Sequence, residues 1–232
     1  MKNLKTALWA LFFLLAVACD KQSSSATAAE SIVATAEPSA ASAGKTDFKE
    51  GTDYTLLATV MPTRDPKKVE VIEFFWYGCP HCYAFEPHLE AWMAKLPSTV
   101  DFWRSPVIWG SAKETHAQVY YTAITLGVLD KTHKAFFEAV HAAQEKTKSE
   151  NIYVDKDEIK AFFKTFGVDN DKFDQTFESF SVMSQLKLAD ARGRSYAIQG
   201  VPTLVINGKY AVLGTMPRAL EVVDYLIQKE KK

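Results

Sequence analysis

The sequence predicts an α/β sheet domain interrupted by a block of helices, and three observations carry that prediction. Residues 67–76, KKVEVIEFFW, are nearly continuous in apolar and β-favouring types, as expected of a strand buried on both faces of a sheet. From about residue 111 to residue 199 the apolar spacing follows the helical period instead. After Gly200 the chain returns to two short apolar runs, VPTLVINGKYAVLG, joined by Asn207-Gly208, which signals a two-residue hairpin.

The chain begins with Lys2 and Lys5 ahead of a continuous apolar run over residues 7–17. That run is shorter than the roughly 20 residues a membrane span needs, and it suits the apolar region of an export signal. Ala16-Val17-Ala18 fits ordinary signal cleavage, giving a signal segment 1–18. The stretch Leu15-Ala16-Val17-Ala18-Cys19 also resembles a bacterial lipobox, although Ala16 stands where a lipobox usually has Leu. On that reading Cys19 is acylated and anchors the chain, and a stray thiol in an exported protein is thereby removed. Export implies a compartment that tolerates disulfides.

Residues 19–46 are mostly Ala, Ser and Thr without core-forming periodicity, so they are expected to be a disordered tether. As a flexible coil such a segment spans roughly 30 Å. Of the 27 Lys and Arg in the 232 residues, 25 remain once Lys2 and Lys5 are removed, against 28 Asp and Glu. No basic run stands out, so there is no electrostatic case for a nucleic-acid partner.

In the folded part, the strand runs directly into CPHC and then into YAFEPHLEAWMAKL, with helical apolar spacing through Phe85, Leu89, Trp92 and Leu96. Pro87 is expected to kink or interrupt this helix near its second turn. VDFWRSP, residues 100–106, reads as a second core strand. Residues 47–110 thus form a first sheet portion and 111–190 a helical insertion. Asp155 and Asp169 or Asn170 are candidate helix caps, and Gly127, Gly167 and Gly200 candidate stops. Residues 191–232 complete the sheet domain with the hairpin and a last helix.

Cys79 and Cys82 admit three readings. A zinc site needs about four ligands, and here one couple stands with only His81 and His88 nearby. A structural staple across so short a loop would constrain little of the unfolded chain. A redox-active pair suits the position between a strand and a helix start. Cys79 would meet unpaired backbone N–H groups and the positive end of the helix dipole. Pro80 fits the first helical position, and His81 adds a donor or positive charge close by. Cys82, one turn inward, has a burial-raised thiol pKa. Cys79 is then the attacking and leaving sulfur and Cys82 the resolving one. Glu73, flanked by Ile72 and Phe74, is an acid in a buried strand, where its pKa is raised and it can pass protons.

EVIEFFWYGCPHCYAFEP followed by GVPTLVINGKY resembles the thioredoxin-fold disulfide oxidoreductases of the DsbA family. The resemblance covers about residues 47–230. It implies a thioredoxin fold with an inserted helical domain, and a periplasmic enzyme that donates the Cys79–Cys82 disulfide to newly exported proteins. It places Glu73 beneath the disulfide, assisting proton transfer at Cys82. It also implies a cis peptide before Pro202, with Val201 backbone groups free to pair with a substrate peptide. Trp76 and Tyr77 are candidate apolar contacts for that substrate, or simply core. DsbA is the familiar case of a strongly acidic attacking cysteine, pKa about 3.5 against about 7 in thioredoxin, and the shared CPHC makes this chain an oxidant by analogy. Reoxidation by a DsbB-like membrane quinone reductase, no cofactor, no metal and a monomeric state complete the expectation. The remaining histidines (His88, His116, His133, His141) are expected to be surface or packing residues without specific partners.

Overall fold

Strand β2 (Val69–Phe75) is buried at every position, as its apolar run predicts. The structure, a computed structural model, describes residues 48–216 and 218–231. The signal segment 1–18, the tether 19–46 and Cys19 lie outside the described residues. Beside β2 lie β3 (Val100–Pro106), parallel to it, and β4 (Thr203–Ile206), antiparallel. β5 (Tyr210–Leu213) and the short β1 (Thr55–Leu56) extend the far edge, so the order is β1-β5-β4-β2-β3. The two-residue edge strand β1 was not expected from sequence. Asn207 and Gly208 both take left-handed φ, 52° and 65°, in a turn closed by Lys209 N–H to Ile206 O. Ile206 pairs with Tyr210, so Lys209 is also part of the connection and the expected two-residue loop is one residue longer.

The alternation of β2 builds two cores. Val69 and Val71 pack with Phe85, Leu89 and Trp92 of α1 (Pro80–Met93) and with Val222, Val223 and Leu226 of α7 (Ala219–Glu230). Ile72 and Phe74 belong to the second core, shared with the helical insertion. Helix α1 runs through Pro87 without the expected interruption. The proline removes one helical hydrogen bond, but the buried face formed by Phe85, Glu86, Leu89 and Trp92 continues on both sides of it and holds the helix in place.

The insertion comprises α2 (Ser111–Leu126), α3 (Leu129–Thr147), α4 (Lys156–Lys164), α5 (Asn170–Phe177) and α6 (Phe180–Ser195). Asp155 and Asp169 cap α4 and α5 as expected, each side chain accepting two backbone N–H groups. Gly127 ends α2 in the left-handed conformation. Ser179 caps α6, dividing what the helical spacing presents as one segment. A boundary at residue 190 cuts through α6, which carries the insertion to Ser195; Gly200 lies beyond the helix end. The described residues form one compact unit.

Candidate active site

The junction of β2 and α1 brings the sulfurs to the start of a helix. Cys79 is the N-cap residue of α1, extended at φ −84° and ψ 118°, and Pro80 follows in the first turn. Cys79 is 8% exposed and Cys82 is fully buried one turn on. Both are free thiols in this structure. Pro80 and His81 are exposed between them.

The two thiols are driven apart in acidity. The Cys79 thiol is lowered to about 6: the Cys82 thiol hydrogen-bonds to it, and the Cys82 and His81 backbone N–H groups and the His81 charge add to this against the opposing effect of burial. Burial drives the Cys82 thiol far above its ordinary value, and its hydrogen bond to Cys79 and the nearby Cys79 and Glu73 charges reinforce that. Val201–Pro202 is cis, and the Cys79 thiol lies 3.5 Å from the Val201 carbonyl, to which it donates. The loop is held by Gly214 N–H to Pro202 O at 2.9 Å and by the Thr203 hydroxyl to Gly200 O at 2.8 Å.

Glu73, whose charge acts on Cys82, is wholly buried, and the parallel register of β2 and β3 sets it beside Arg104. Arg104 Nε donates to Glu73 Oε2 at 2.8 Å, while its terminal nitrogen donates to Glu86 Oε1 at 2.5 Å. Burial raises the Glu73 carboxyl to about 8 despite Arg104. Burial acts the same way on Glu86, but there the His133 contact and the Arg104 charge outweigh it and hold the carboxyl below its ordinary range. Arg104 and Glu86 were missed from sequence. A lone arginine in the apolar strand VDFWRSP, and a glutamate one turn after Cys82 on a buried helix face, were the signals.

Trp76 and Tyr77 do not offer a substrate surface. They are 8% and 2% exposed and belong to the core shared with the insertion. Trp76 Nε1 donates to His116 Nδ1 at 3.0 Å, and the Tyr77 hydroxyl lies 2.7 Å from His133 Nδ1. These histidines therefore do have specific partners, contrary to expectation. His116 Nε2 donates in turn to the Ile152 carbonyl at 2.7 Å, and burial keeps this ring neutral, lowered to about 4. His141 stacks on Tyr83 with 4.4 Å between ring centres, while His88 is exposed. Among the described residues no group of three or more His, Cys, Asp or Glu side chains converges as a metal site.

Dithiol–disulfide exchange requires unequal sulfurs of this kind, one ready to attack or leave and the other held back as a neutral thiol. By fold and site the protein is a thiol:disulfide oxidoreductase. Residues 70–221 match the family model described as a DSBA-like thioredoxin domain, and the chain belongs to the DsbA family. The thiol:disulfide interchange protein DsbA of Pseudomonas aeruginosa is 39% identical over 189 residues, covering 80% of this chain and 87% of the relative. The crystal structure of Pseudomonas aeruginosa DsbA aligns with a TM-score of 0.72 at 39% identity, over 80% of this chain and 95% of that one. DsbA from Xylella fastidiosa aligns with a TM-score of 0.71 at 35% identity, over 77% and 95%. The expected architecture, a thioredoxin fold carrying an inserted helical domain, is the one this chain adopts.

Proposed function

We propose that the protein works as a periplasmic oxidant that passes its Cys79–Cys82 disulfide to newly exported proteins. The observation that carries this direction is the lowered pKa of Cys79 at the start of α1, because a stabilised thiolate favours the reduced enzyme and so drives the disulfide outward. A substrate thiolate attacks Cys79 Sγ, the Cys79–Cys82 bond breaks, and Cys82 leaves with the electron pair and takes a proton from Glu73. A second substrate thiolate then attacks the substrate sulfur of the mixed disulfide, releasing Cys79 as a thiolate. The substrate is oxidised by two electrons and the enzyme reduced by two.

Pro80 and His81 shape the helix start around Cys79. The Val201 carbonyl, within reach of the attacking sulfur, supports an extended substrate pairing with the backbone ahead of Pro202. A DsbB-like membrane quinone reductase would take the two electrons from the reduced pair and restore the disulfide. Acylation of Cys19 would tether the monomeric enzyme at the membrane where such a partner resides; the lipobox-like LAVAC stretch supports that anchor. Equilibration of the Cys79–Cys82 pair with glutathione tests the direction. A potential near about −120 mV supports an oxidant, and one near about −270 mV, the thioredoxin value, overturns it.

A further inference from the structure

Arg104 is one cation shared between two acids in a space nearly closed to water. Its side chain is 11% exposed, and those of Glu73 and Glu86 are 0% and 4% exposed. Charge balance there favours one carboxylate and one carboxylic acid, since a second buried negative charge would have no cation of its own. Arg104 bonds both acids, so it does not by itself decide which one keeps the proton. Each acid also has one oxygen without a hydrogen-bond partner, Glu73 Oε1 and Glu86 Oε2. The asymmetry comes from the insertion.

His133 on α3 places Nε2 3.4 Å from Glu86 Oε1, within ion-pair reach though beyond a well-formed hydrogen bond, and that nitrogen has no hydrogen-bond partner. Its Nδ1 lies 2.7 Å from the Tyr77 hydroxyl. With the Tyr77 O–H donating to Nδ1, the ring proton sits on Nε2 and faces the Glu86 carboxylate. The opposite tautomer would turn a lone pair toward that carboxylate and leave the hydroxyl to find another acceptor. The remaining titratable groups around the two acids are Cys82 from α1 and Tyr120 from α2, whose hydroxyl donates to the Arg104 carbonyl at 3.4 Å.

We infer that His133, locked in one tautomer by Tyr77, is a positioning residue that fixes the negative charge on Glu86 and leaves Glu73 as the carboxylic acid next to Cys82. The inference rests on the reading of Glu73 as the proton carrier for Cys82. It adds the device that keeps Glu73 loaded, and it assigns that device to the helical insertion. The opposite acidity shifts of the two carboxyls follow the same order.

The test is a carbon-13 titration of the glutamate side-chain carboxyls in the full chain, with Glu73→Gln and Glu86→Gln assigning the signals. In His133→Phe the Glu73 midpoint should fall by about one pH unit or more and the Glu86 midpoint should rise, the size expected for losing the one polar group that faces a buried carboxylate at ion-pair distance. His133→Gln, whose amide restores a donor, should hold the Glu73 midpoint within about half a unit of the parent. If His133→Phe does not fold, Tyr77→Phe carries the test, with a smaller fall in the same direction. An unchanged Glu73 midpoint in the folded variant overturns the inference, as does a parent protein in which Glu86 is the acid that titrates high. The pH–rate profile for reduction of the disulfide by a small dithiol separates the two levels. If Glu73 titrates high and responds to His133→Phe while Glu73→Gln leaves the profile unchanged, the positioning stands and the proton-carrier reading fails. If Glu73→Gln alters the profile but His133→Phe leaves the Glu73 midpoint in place, the reverse holds.

Discussion

Removing the Cys82 thiol should return Cys79 part of the way toward an ordinary cysteine. Of the influences that lower Cys79 to about 6, the hydrogen bond from the Cys82 thiol is the largest, ahead of the Cys82 and His81 backbone N–H groups and the His81 charge. A hydrogen bond to an ionised acceptor contributes about 1.5–3 kcal/mol, or about one to two pKa units at roughly 1.4 kcal/mol each. Cys82→Ala should therefore carry Cys79 from about 6 to between about 7 and 8. Cys82→Ser keeps an O–H donor at the same place and should leave Cys79 close to the parent value. The assay is the ultraviolet absorbance of the thiolate followed against pH. The size of the effect matters for electron flow. At pH 7 a Cys79 thiolate with the parent acidity favours the dithiol form by about 1.4 kcal/mol before solvent screening, equivalent to about 30 mV for two electrons. If Cys82→Ala still titrates near the parent value, the helix-start N–H groups rather than the thiol hold the charge, and the assignment of causes is refuted.

The same acidity gives the reduced protein a pH-dependent advantage over its disulfide form. Because the folded Cys79 value lies below the unfolded one, about 6 against 9, the stabilisation is full above the unfolded value and is lost as pH falls through about 6. The melting-temperature difference between reduced and oxidised protein should accordingly shrink between pH 9 and pH 5, and a constant difference would contradict the lowered thiol. A packing prediction concerns Gly214, where a side-chain methyl would meet Pro202 Cγ at 2.7 Å and Phe85 Cε1 at 3.3 Å. Gly214→Ala should cost about 1–3 kcal/mol in denaturant unfolding, as overpacking does, and should slow disulfide transfer by displacing the loop beside Cys79. An unfolding midpoint equal to the parent's would show that the loop yields freely.

The parts of the site that could be read from the sequence depend on short-range pattern. The buried strand, the helix that begins at CPHC, the caps at Asp155 and Asp169, and the Asn207-Gly208 turn are all written in neighbouring residues. Glu73 was visible because an acid inside an apolar strand is conspicuous. Its partners were not, because they are brought together by strand register and helix packing. Glu73 meets Arg104 only through the parallel pairing of β2 with β3, 31 residues apart, and Tyr77 meets His133 across 56 residues. The edge strand β1 escaped notice because a two-residue strand has no period to detect. Pro87 does not interrupt α1 because the continuous buried face that the helix presents to the sheet outweighs the local backbone preference.

The insertion does more than cover one face of the sheet. The three residues ahead of Cys79 are each bonded by a different side chain of the helical block. His116 of α2 accepts from Trp76, His133 of α3 meets the Tyr77 hydroxyl, and Gln144 of α3 donates to the Gly78 carbonyl at 3.3 Å. A helix N-terminus lowers a thiol only if the sulfur is kept in line with the first N–H groups, and the effect falls off within one turn. Anchoring Trp76, Tyr77 and Gly78 in sequence fixes where Cys79 enters α1. The reactive sulfur thus belongs to the thioredoxin-type sheet by connectivity, and its orientation is set by the insertion. Loosening α3 should therefore raise the Cys79 pKa without any change to CPHC itself.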